Sequence, residues 1–336
     1  MKSYVCLTAA LLTTSVAWAQ PVFINLGPTT QATSVSIDGD VVVGTKAGSI
    51  FRWTQASGMT FLGSGFRPEV SADGSAVAWV QNGSVYRWTA AGGTTLLGTG
   101  GATTAAISGD GSTVVSGSHR WTTAGWSSNL QLPAGATGNL NALSVNYDGS
   151  LVSGDSETGV PIRWDGTGQG TSLGAIPGYA VNGIGSSITP DGNTIVGFAR
   201  GNNGFDVFRW RQSTGMQGLQ VAPMGFTGPA VYDVTPDGEI VVGTNLGNAF
   251  LWRAGGGPMD IRTLLEEQYG VNVANLTVEF AYGISGDGRT LVGWGFDSNV
   301  NANYGWVLHL DGSIPAPGSA CMLLASLSVL RRRRRR

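Results

Sequence analysis

Seven times along the chain, an Asp-Gly pair opens a run of small and β-branched residues that leads into a strand centred on Trp. The Asp residues of these pairs are Asp38, Asp73, Asp110, Asp148, Asp191, Asp237 and Asp287. Successive members lie 35, 37, 38, 43, 46 and 50 positions apart. A drifting period predicts stacked repeats with loop insertions, and periods of roughly 40 to 50 residues are typical of propeller blades.

Each repeat has the pattern of four short strands. In the first, residues 33–37 form an apolar run, Asp38-Gly39 has the chemistry of a hairpin turn, and residues 41–44, 50–53 and 60–63 have the composition of three further strands. Leu97-Gly98 and Leu173-Gly174 mark fourth strands in later repeats. Helical periodicity is almost absent. The sequence therefore predicts an all-β fold, a seven-bladed β-propeller of four-stranded blades.

The ends of the predicted propeller, residues 20–314, are out of phase with the repeats. Residues 23–27 match a fourth strand with nothing before it, and the seventh repeat stops after its third strand at residues 308–310. An open ring would leave two unpaired sheet edges, which natural proteins avoid. We therefore expect an N-terminal outer strand, Val22 to Gly27, to join the last blade and close the ring.

One segment departs from the β pattern. Residues 260–270 have Asp260 at a helix N-cap position, apolar Leu264 and Leu265, and Gly270 at a C-terminal cap position. We predict a short helix inserted before the last blade, packed against the end of a blade; a partner-binding helix is the alternative.

Charge limits the partners of the body. Of the 19 basic residues, six form the terminal run Arg331 to Arg336 and one is Lys2, which leaves 12 in the body against 21 acidic residues. A surface that binds nucleic acid needs clustered basic residues against phosphate. The sequence therefore argues against a nucleic-acid partner and against docking on anionic lipid.

The N-terminus indicates export. Lys2 precedes an apolar stretch that ends in Ala17-Trp18-Ala19 before Gln20, the pattern of a secretory signal peptide with an A-x-A cleavage site. Both Cys residues, Cys6 and Cys321, lie in terminal segments. We predict a signal peptide over residues 1–19, a propeller without disulfides over 20–314 and a C-terminal signal over 315–336.

The C-terminus combines Pro315-Ala316-Pro317-Gly318, an apolar segment over residues 319–330, and the Arg run. At about 1.5 Å per residue this helix would span about 18 Å, short of the roughly 30 Å hydrocarbon core, so it favours a transient membrane contact over a permanent span. The segment resembles the PEP-CTERM sorting signal, with Ala316 where that family usually has Glu. The resemblance implies a bacterial protein retained at the inner membrane, processed by an exosortase-type protease, then placed at the cell surface or outside the cell. A retained tail anchor is the alternative.

The repeats resemble a second family, the extracellular HAF-repeat proteins. The match is closest at residues 281–293, Ala-Tyr-Gly-Ile-Ser-Gly-Asp-Gly-Arg-Thr-Leu-Val-Gly, and at the helical segment before them. This resemblance implies an exported β-propeller and carries no established reaction, ligand or cofactor.

Two motifs resemble functional sites, but the residues of both favour a structural role. The Asp-Gly turns resemble the Asp-box hairpins of sialidases, in which the Asp side chain caps its own turn. Asp297, Asn299, Asn301 and Asn303 have the alternation of a calcium loop, but Ala302 occupies the place of its Gly and Leu308 that of its terminal carboxylate. We expect a polar hairpin there, with no metal or cofactor.

The Arg-Trp dipeptides and the histidines also favour packing. Side chains alternate along a strand, so Phe51 and Trp53 face one side and Arg52 the other. We expect such Arg residues to stack between blades or to pair with a turn, with a sugar-binding surface as the alternative. His119 takes a position that Phe51 holds in the first repeat, and no nucleophile elbow, metal-ligand cluster or phosphate loop accompanies His119 or His309.

Three functions stay open. The first is a non-catalytic surface or matrix protein whose propeller presents a binding face to an extracellular polysaccharide or a surface protein. The second is a sialidase-like hydrolase of glycans, which needs paired acids across a pocket, and the sequence does not place Glu69, Glu157 or Glu239 in that way. The third is an adhesin or structural module that contacts its own copies.

Overall fold

The computed structural model describes residues 21–99, 101–122, 125–201, 204–221 and 229–310. The predicted signal peptide, including Ala17, Ala19 and Gln20, and the predicted sorting signal from Pro315 onward lie outside these residues. Within them, the strands form seven four-stranded antiparallel sheets, each in the order of the chain apart from the last. The sequence prediction of a seven-bladed propeller is confirmed.

The blades are numbered by their Asp-Gly turns. Blade 1 contains β2 (Thr30–Val35), β3 (Val42–Lys46), β4 (Ser49–Thr54) and β5 (Gly58–Ser64); blade 2 contains β6 (Phe66–Val70), β7 (Ala76–Gln81), β8 (Ser84–Thr89) and β9 (Gly93–Thr99). Blade 3 contains β10 (Ala106–Ile107), β11 (Val114–Ser116), β12 (His119–Thr122) and β13 (Gly125–Ser128); blade 4 contains β14 (Leu140–Val145), β15 (Val152–Ser156), β16 (Pro161–Trp164) and β17 (Gly170–Ser172).

Blade 5 contains β18 (Gly183–Ile188), β19 (Thr194–Gly201), β20 (Gly204–Arg211) and β21 (Gly215–Gly218); blade 6 contains β22 (Ala230–Val234), β23 (Ile240–Asn245), β24 (Asn248–Arg253) and β25 (Gly257–Asp260). Blade 7 contains β26 (Phe280–Ile284), β27 (Thr290–Asp297), β28 (Ala302–His309) and, as its outer strand, β1 (Val22–Pro28).

The ring closes as the sequence predicts. β1 pairs with β28 in antiparallel register, with Ile24 opposite Val307. Leu26 is buried in the apolar cluster between blades 7 and 1, and the ring of Phe23 stacks on Trp306 at a centroid distance of 6.2 Å. The N-terminal strand therefore covers the edge that β28 would otherwise expose.

Two predicted strand segments extend past the C-terminal end of the observed strand. The first strand of blade 1 is Thr30–Val35 instead of residues 33–37, because Ser36 and Ile37 belong to the Asp-Gly turn. The fourth strand of blade 4 ends at Ser172, immediately before the predicted Leu173-Gly174.

The predicted helix is present and shorter than expected. It contains one α-helical turn, α1 (Ile261–Thr263), followed by a π-helical turn over Leu264–Gln268, and the Asp260 side chain accepts a hydrogen bond from the Thr263 amide at 2.8 Å. Leu264 and Leu265 are fully buried, and Leu265 packs in the core cluster of blades 6 and 7. The helix thus packs against a blade, as predicted.

The core lies between blades. The described residues form seven apolar clusters, and each contains residues of two adjacent blades, for example Val43 and Ile50 of blade 1 with Val77 and Trp79 of blade 2. Each sheet is therefore buried on both faces by its neighbours. Among the described residues, no helix is both long enough and apolar enough to cross a bilayer.

Candidate functional site

The seven turn Asp residues are engaged within their own turns. In blade 2, Asp73 accepts hydrogen bonds from the Ser71 hydroxyl at 2.7 Å and from the Ser75 amide at 2.9 Å, and the Ser71 hydroxyl accepts from the Ala76 amide at 3.0 Å. The amide two residues after Asp is the donor in every repeat: Asp38, Asp73, Asp110, Asp148, Asp191, Asp237 and Asp287. These carboxylates therefore stabilise turns.

The same turns bond to one another around one end of the propeller axis. The Ile37 amide donates to the Ala72 carbonyl at 2.9 Å, the Ala72 amide donates to the Gly109 carbonyl at 2.9 Å, and the Gly286 amide donates to Ile37 at 2.7 Å. This end of the channel is a narrow mouth, with a cavity of about 130 Å³ below it. Its rim is held by backbone hydrogen bonds.

The Arg-Trp dipeptides lie between blades. Nε of Arg87 donates to the Gly111 carbonyl of the next turn at 2.9 Å, and the guanidinium lies 5.6 Å from the ring of Trp121 in the next blade. Nη1 of Arg209 donates to the Gly238 carbonyl at 3.0 Å, and this guanidinium lies 5.3 Å from the ring of Trp252. These side chains connect adjacent blades.

The remaining residues named from the sequence do not converge on one site. Nδ1 of His309 lies 3.0 Å from the Thr290 hydroxyl, and half-buried His119 lies in the third strand of blade 3. Asp297 accepts from the Asn299 amide at 2.9 Å within the hairpin between β27 and β28. In the described part of the chain, no three His, Cys, Asp or Glu side chains are grouped to hold a metal.

The three Glu residues considered for catalysis have different surroundings. Glu157 accepts from the Asn139 amide at 3.1 Å, and Glu239 pairs with Arg211 at 2.9 Å. Glu69 alone among them lines the axial channel.

A polar ring lines the channel where the innermost strands carry a β-bulge. It is formed by the residue four positions before the turn Asp: Ser34, Glu69, Ser144, Ser187 and Asp233, with Ala106 and Gly283 at the same position in blades 3 and 7. The bulges leave side chains at this position facing the axis and the neighbouring blade. We call these five polar residues the axial ring.

Side chains of the axial ring also link blades. The Ser34 hydroxyl accepts from the Val70 amide at 3.3 Å, and the Ser144 hydroxyl accepts from the Ile188 amide at 3.3 Å. Oδ2 of Asp233 accepts from the Ile284 amide at 3.0 Å. Each bond satisfies an amide of the next innermost strand.

Two members of the axial ring are carboxylates with raised pKa values. Burial raises the pKa of Asp233 to about 6, although its Oδ1 accepts hydrogen bonds from the Val234 amide at 2.8 Å and the Ser187 hydroxyl at 3.3 Å. Burial, and then the charge of Asp233, raise the pKa of Glu69 to about 8, against a hydrogen bond from the Ile107 amide. Both side chains keep some contact with the channel, so they are enclosed by protein while remaining accessible from it.

The opposite end of the channel is a wide funnel of about 640 Å³. The axial ring forms its floor, and its walls carry Phe66, Arg67, Tyr232 and Tyr282. The rings of Tyr232 and Tyr282 lie 4.3 Å apart, and burial raises the pKa of the Tyr232 hydroxyl. Arg67 has a φ of 51°, in the left-handed region that non-glycine residues rarely adopt.

An aromatic stack extends from the funnel along blade 7. Phe280 stacks on Tyr282 at 5.8 Å and on Trp294 at 4.5 Å. Phe66, on the opposite wall, is 42% exposed. The funnel therefore combines aromatic surface with two carboxylates and one guanidinium, which is the composition of a binding cavity.

Sequence reasoning named Glu69 but missed its partners in the funnel, Asp233, Arg67, Tyr232 and Tyr282. The signal that could have found Asp233 is its position, because Glu69 and Asp233 both lie four residues before a turn Asp.

Comparison of the sequence with protein families finds no match, and comparison with curated proteins finds none. Comparison with solved structures finds many propellers of low identity. They include an oligogalacturonate lyase from Vibrio parahaemolyticus (10% identity, 88% of this chain and 99% of that chain, TM-score 0.60), a chain of the mitotic checkpoint complex (14%, 91% and 97%, TM-score 0.55) and U3-55K (15%, 86% and 98%, TM-score 0.55). At these identities the likeness shows the fold alone.

Proposed function

We propose that this protein is an exported, non-catalytic β-propeller that binds an extracellular glycan in its axial funnel. The observation that supports this most is the funnel itself. It is about 640 Å³, and it presents Tyr232 and Tyr282 beside the carboxylates of Glu69 and Asp233. Aromatic surface packs against the apolar faces of sugar rings, while carboxylates accept hydrogen bonds from sugar hydroxyls.

Export and surface location rest on the two terminal segments. The A-x-A junction at Ala19 and the PEP-CTERM-like tail from Pro315 support secretion, transient retention at the inner membrane and processing by an exosortase-type protease. A surface protein is the alternative occupant of the funnel, and a glycan array without any ligand would favour it.

The non-catalytic assignment is supported by the bonding of the axial carboxylates. Asp233 accepts three hydrogen bonds, two of them from backbone amides, and Glu69 accepts one from Ile107. The bonds from Ser187, Ile284 and Ile107 come from neighbouring blades, so a structural role accounts for both carboxylates.

A glycan hydrolase is the second candidate, because one observation favours it. Glu69 has a pKa of about 8 and Asp233 a pKa of about 6. Two carboxyl groups whose pKa values are separated by their surroundings are a pattern of acid and base catalysts in glycosidases.

A glycan array and a panel of chromogenic glycosides separate the two candidates. With the body, residues 20–314, we expect binding without turnover. Tyr282→Ala should weaken binding about tenfold, since it removes an apolar contact and a hydroxyl from the funnel wall. The matched control is Tyr147→Ala, because Tyr147 is 48% exposed at the narrow mouth. Equal loss in both variants would contradict the funnel as the site, and turnover abolished by Glu69→Gln would establish the hydrolase.

A further inference from the structure

We propose that the funnel selects glycans that carry a protonated amine, with the ammonium group of a 2-amino-2-deoxy sugar held between Glu69 and Asp233. This inference rests on the proposed function, and it names the class of glycan that the cavity accepts.

The two carboxylates approach the axis from separate walls. Both occupy the position four residues before the turn Asp, Glu69 on β6 of blade 2 and Asp233 on β22 of blade 6. Blades 2 and 6 are three blades apart around one side of the closed ring and four around the other. Both side chains line the same cavity, and the charge of Asp233 acts on Glu69 across it, so a small cationic group on the axis lies between the two carboxylates.

No cationic side chain of the described residues forms an ion pair with either carboxylate. The ion pairs there join Arg209 and Arg211 to Glu239, Arg262 to Glu266 and Arg289 to Asp287. Neither axial carboxylate takes part in one. Burial raises the pKa of both carboxyl groups, and the charge of Asp233 raises that of Glu69 further. A bound ammonium group favours the ionised form of both carboxyl groups, which burial otherwise disfavours, and supplies three hydrogen-bond donors.

The walls of the funnel fit an organic cation better than a metal ion. Tyr232 and Tyr282 line the cavity above the carboxylates, and aromatic faces attract ammonium groups. Protein calcium sites use several carboxylates, whereas the axial ring has two, and no group of three His, Cys, Asp or Glu side chains that could hold a metal ion occurs among the described residues. Arg67 lines the same cavity from blade 2, near enough for its charge to act on the Tyr232 hydroxyl, so it is placed to contact the uncharged or acidic part of a larger ligand.

A matched pair of oligosaccharides tests the inference. The tetramer of glucosamine and the tetramer of N-acetylglucosamine share one backbone and differ in the charge of the 2-substituent. Isothermal titration of the body, residues 20–314, at pH 6.5 should show the glucosamine tetramer binding at least about tenfold more tightly, because a charge-assisted hydrogen bond is lost on acetylation. Equal affinities would overturn the amine and leave glycan binding intact. Binding of other array glycans with neither tetramer would also overturn it, whereas an array without any ligand would reject the proposed function.

Isosteric variants of the two carboxylates test whether the amine binds between them. Glu69→Gln and Asp233→Asn keep a hydrogen-bond acceptor, so we expect both to fold and to reduce the preference for the glucosamine tetramer to about twofold or less. The control is Glu267→Gln on the exposed side of the inserted helix, which should keep the full preference. A preference unchanged in both axial variants would overturn the assignment. Displacement of the glucosamine tetramer by millimolar calcium, with calcium binding lost in the same variants, would identify the floor as a metal site and refute the inference.

Discussion

Closure of the ring by β1 should contribute a large part of the stability of the propeller. Deleting residues 20–27 removes the outer strand of blade 7. It takes away buried Leu26 and the half-buried side chains of Phe23 and Ile24, which pack on Val307, Trp306 and their neighbours. Full burial of one such side chain stabilises by about 1.5–3 kcal/mol. Because two of the three are partly exposed, we expect a loss of about 5 kcal/mol.

That loss is large relative to a total stability of about 5–15 kcal/mol for a native protein. Domains of 150–250 residues lose about 2–4 °C of Tm per kcal/mol, so the truncated body should melt about 10–20 °C lower. It should also aggregate on heating, since the backbone of β28 becomes an open edge. Thermal unfolding followed by circular dichroism measures both effects against the intact body.

Two controls separate closure from packing. Leu26→Ala keeps the strand and should cost about 2–4 kcal/mol, less than the deletion. A synthetic peptide of residues 20–27, added to the truncated body, should recover Tm in a concentration-dependent manner, whereas the same peptide carrying Leu26→Asp should not. A truncated body that melts within 2 °C of the intact one, or no response to the peptide, would refute the reasoning.

Three further predictions follow from the structure. The folded-state pKa of Glu69 is raised from 4.5 to about 8, so its contribution to stability is present below pH 4.5 and is lost as the pH rises to about 8. Tm should therefore fall over this pH range. Thermal scans at several pH values should show a smaller fall in Glu69→Gln. Ser71→Ala should cost about 1–3 kcal/mol in urea unfolding because it leaves the buried Ala76 amide without its acceptor, whereas the exposed Ser75→Ala should cost under about 0.5 kcal/mol. Intact mass of protein from the native host should show cleavage after Ala19 and near residues 315–318, and a mature surface form that keeps Cys321 and the Arg run would favour a retained anchor.

The fold could be predicted because its determinants are local and repeated. The Asp-Gly turn needs only the residues within it, as the Ser71, Asp73 and Ser75 contacts show, and seven copies fix the number of blades. Closure followed from the phase of the repeats. The strand boundaries at Val35 and Ser172 were less well predicted, since apolar residues continue past the last ladder hydrogen bonds into the turns.

The site could not be predicted in the same way, because it depends on distant parts of the chain. Glu69 and Asp233 are 164 positions apart in the sequence, and only the bulges of β6 and β22 turn both toward the axis. The raised pKa values depend on the same enclosure. A sequence motif records neither the depth of a channel nor the charge on its opposite wall.

Differences between repeats nevertheless indicate where a site can lie in a ring of similar blades. The turn Asp is present in all seven repeats, as the fold requires, and its side chain is bonded within the turn. The residue five positions before it lines the funnel in every blade and is different in most of them: Thr33, Pro68, Ala105, Leu143, Ser186, Tyr232 and Tyr282. A ligand without seven-fold symmetry needs a cavity that breaks the symmetry of the ring. The two Tyr residues of blades 6 and 7 and the Arg67 and Glu69 side chains of blade 2 break this symmetry at the wide mouth. The narrow mouth is held by backbone hydrogen bonds that five of the seven turns donate. Substitutions at the varied positions should therefore change ligand choice at little cost in stability, and substitutions in the turns should do the reverse.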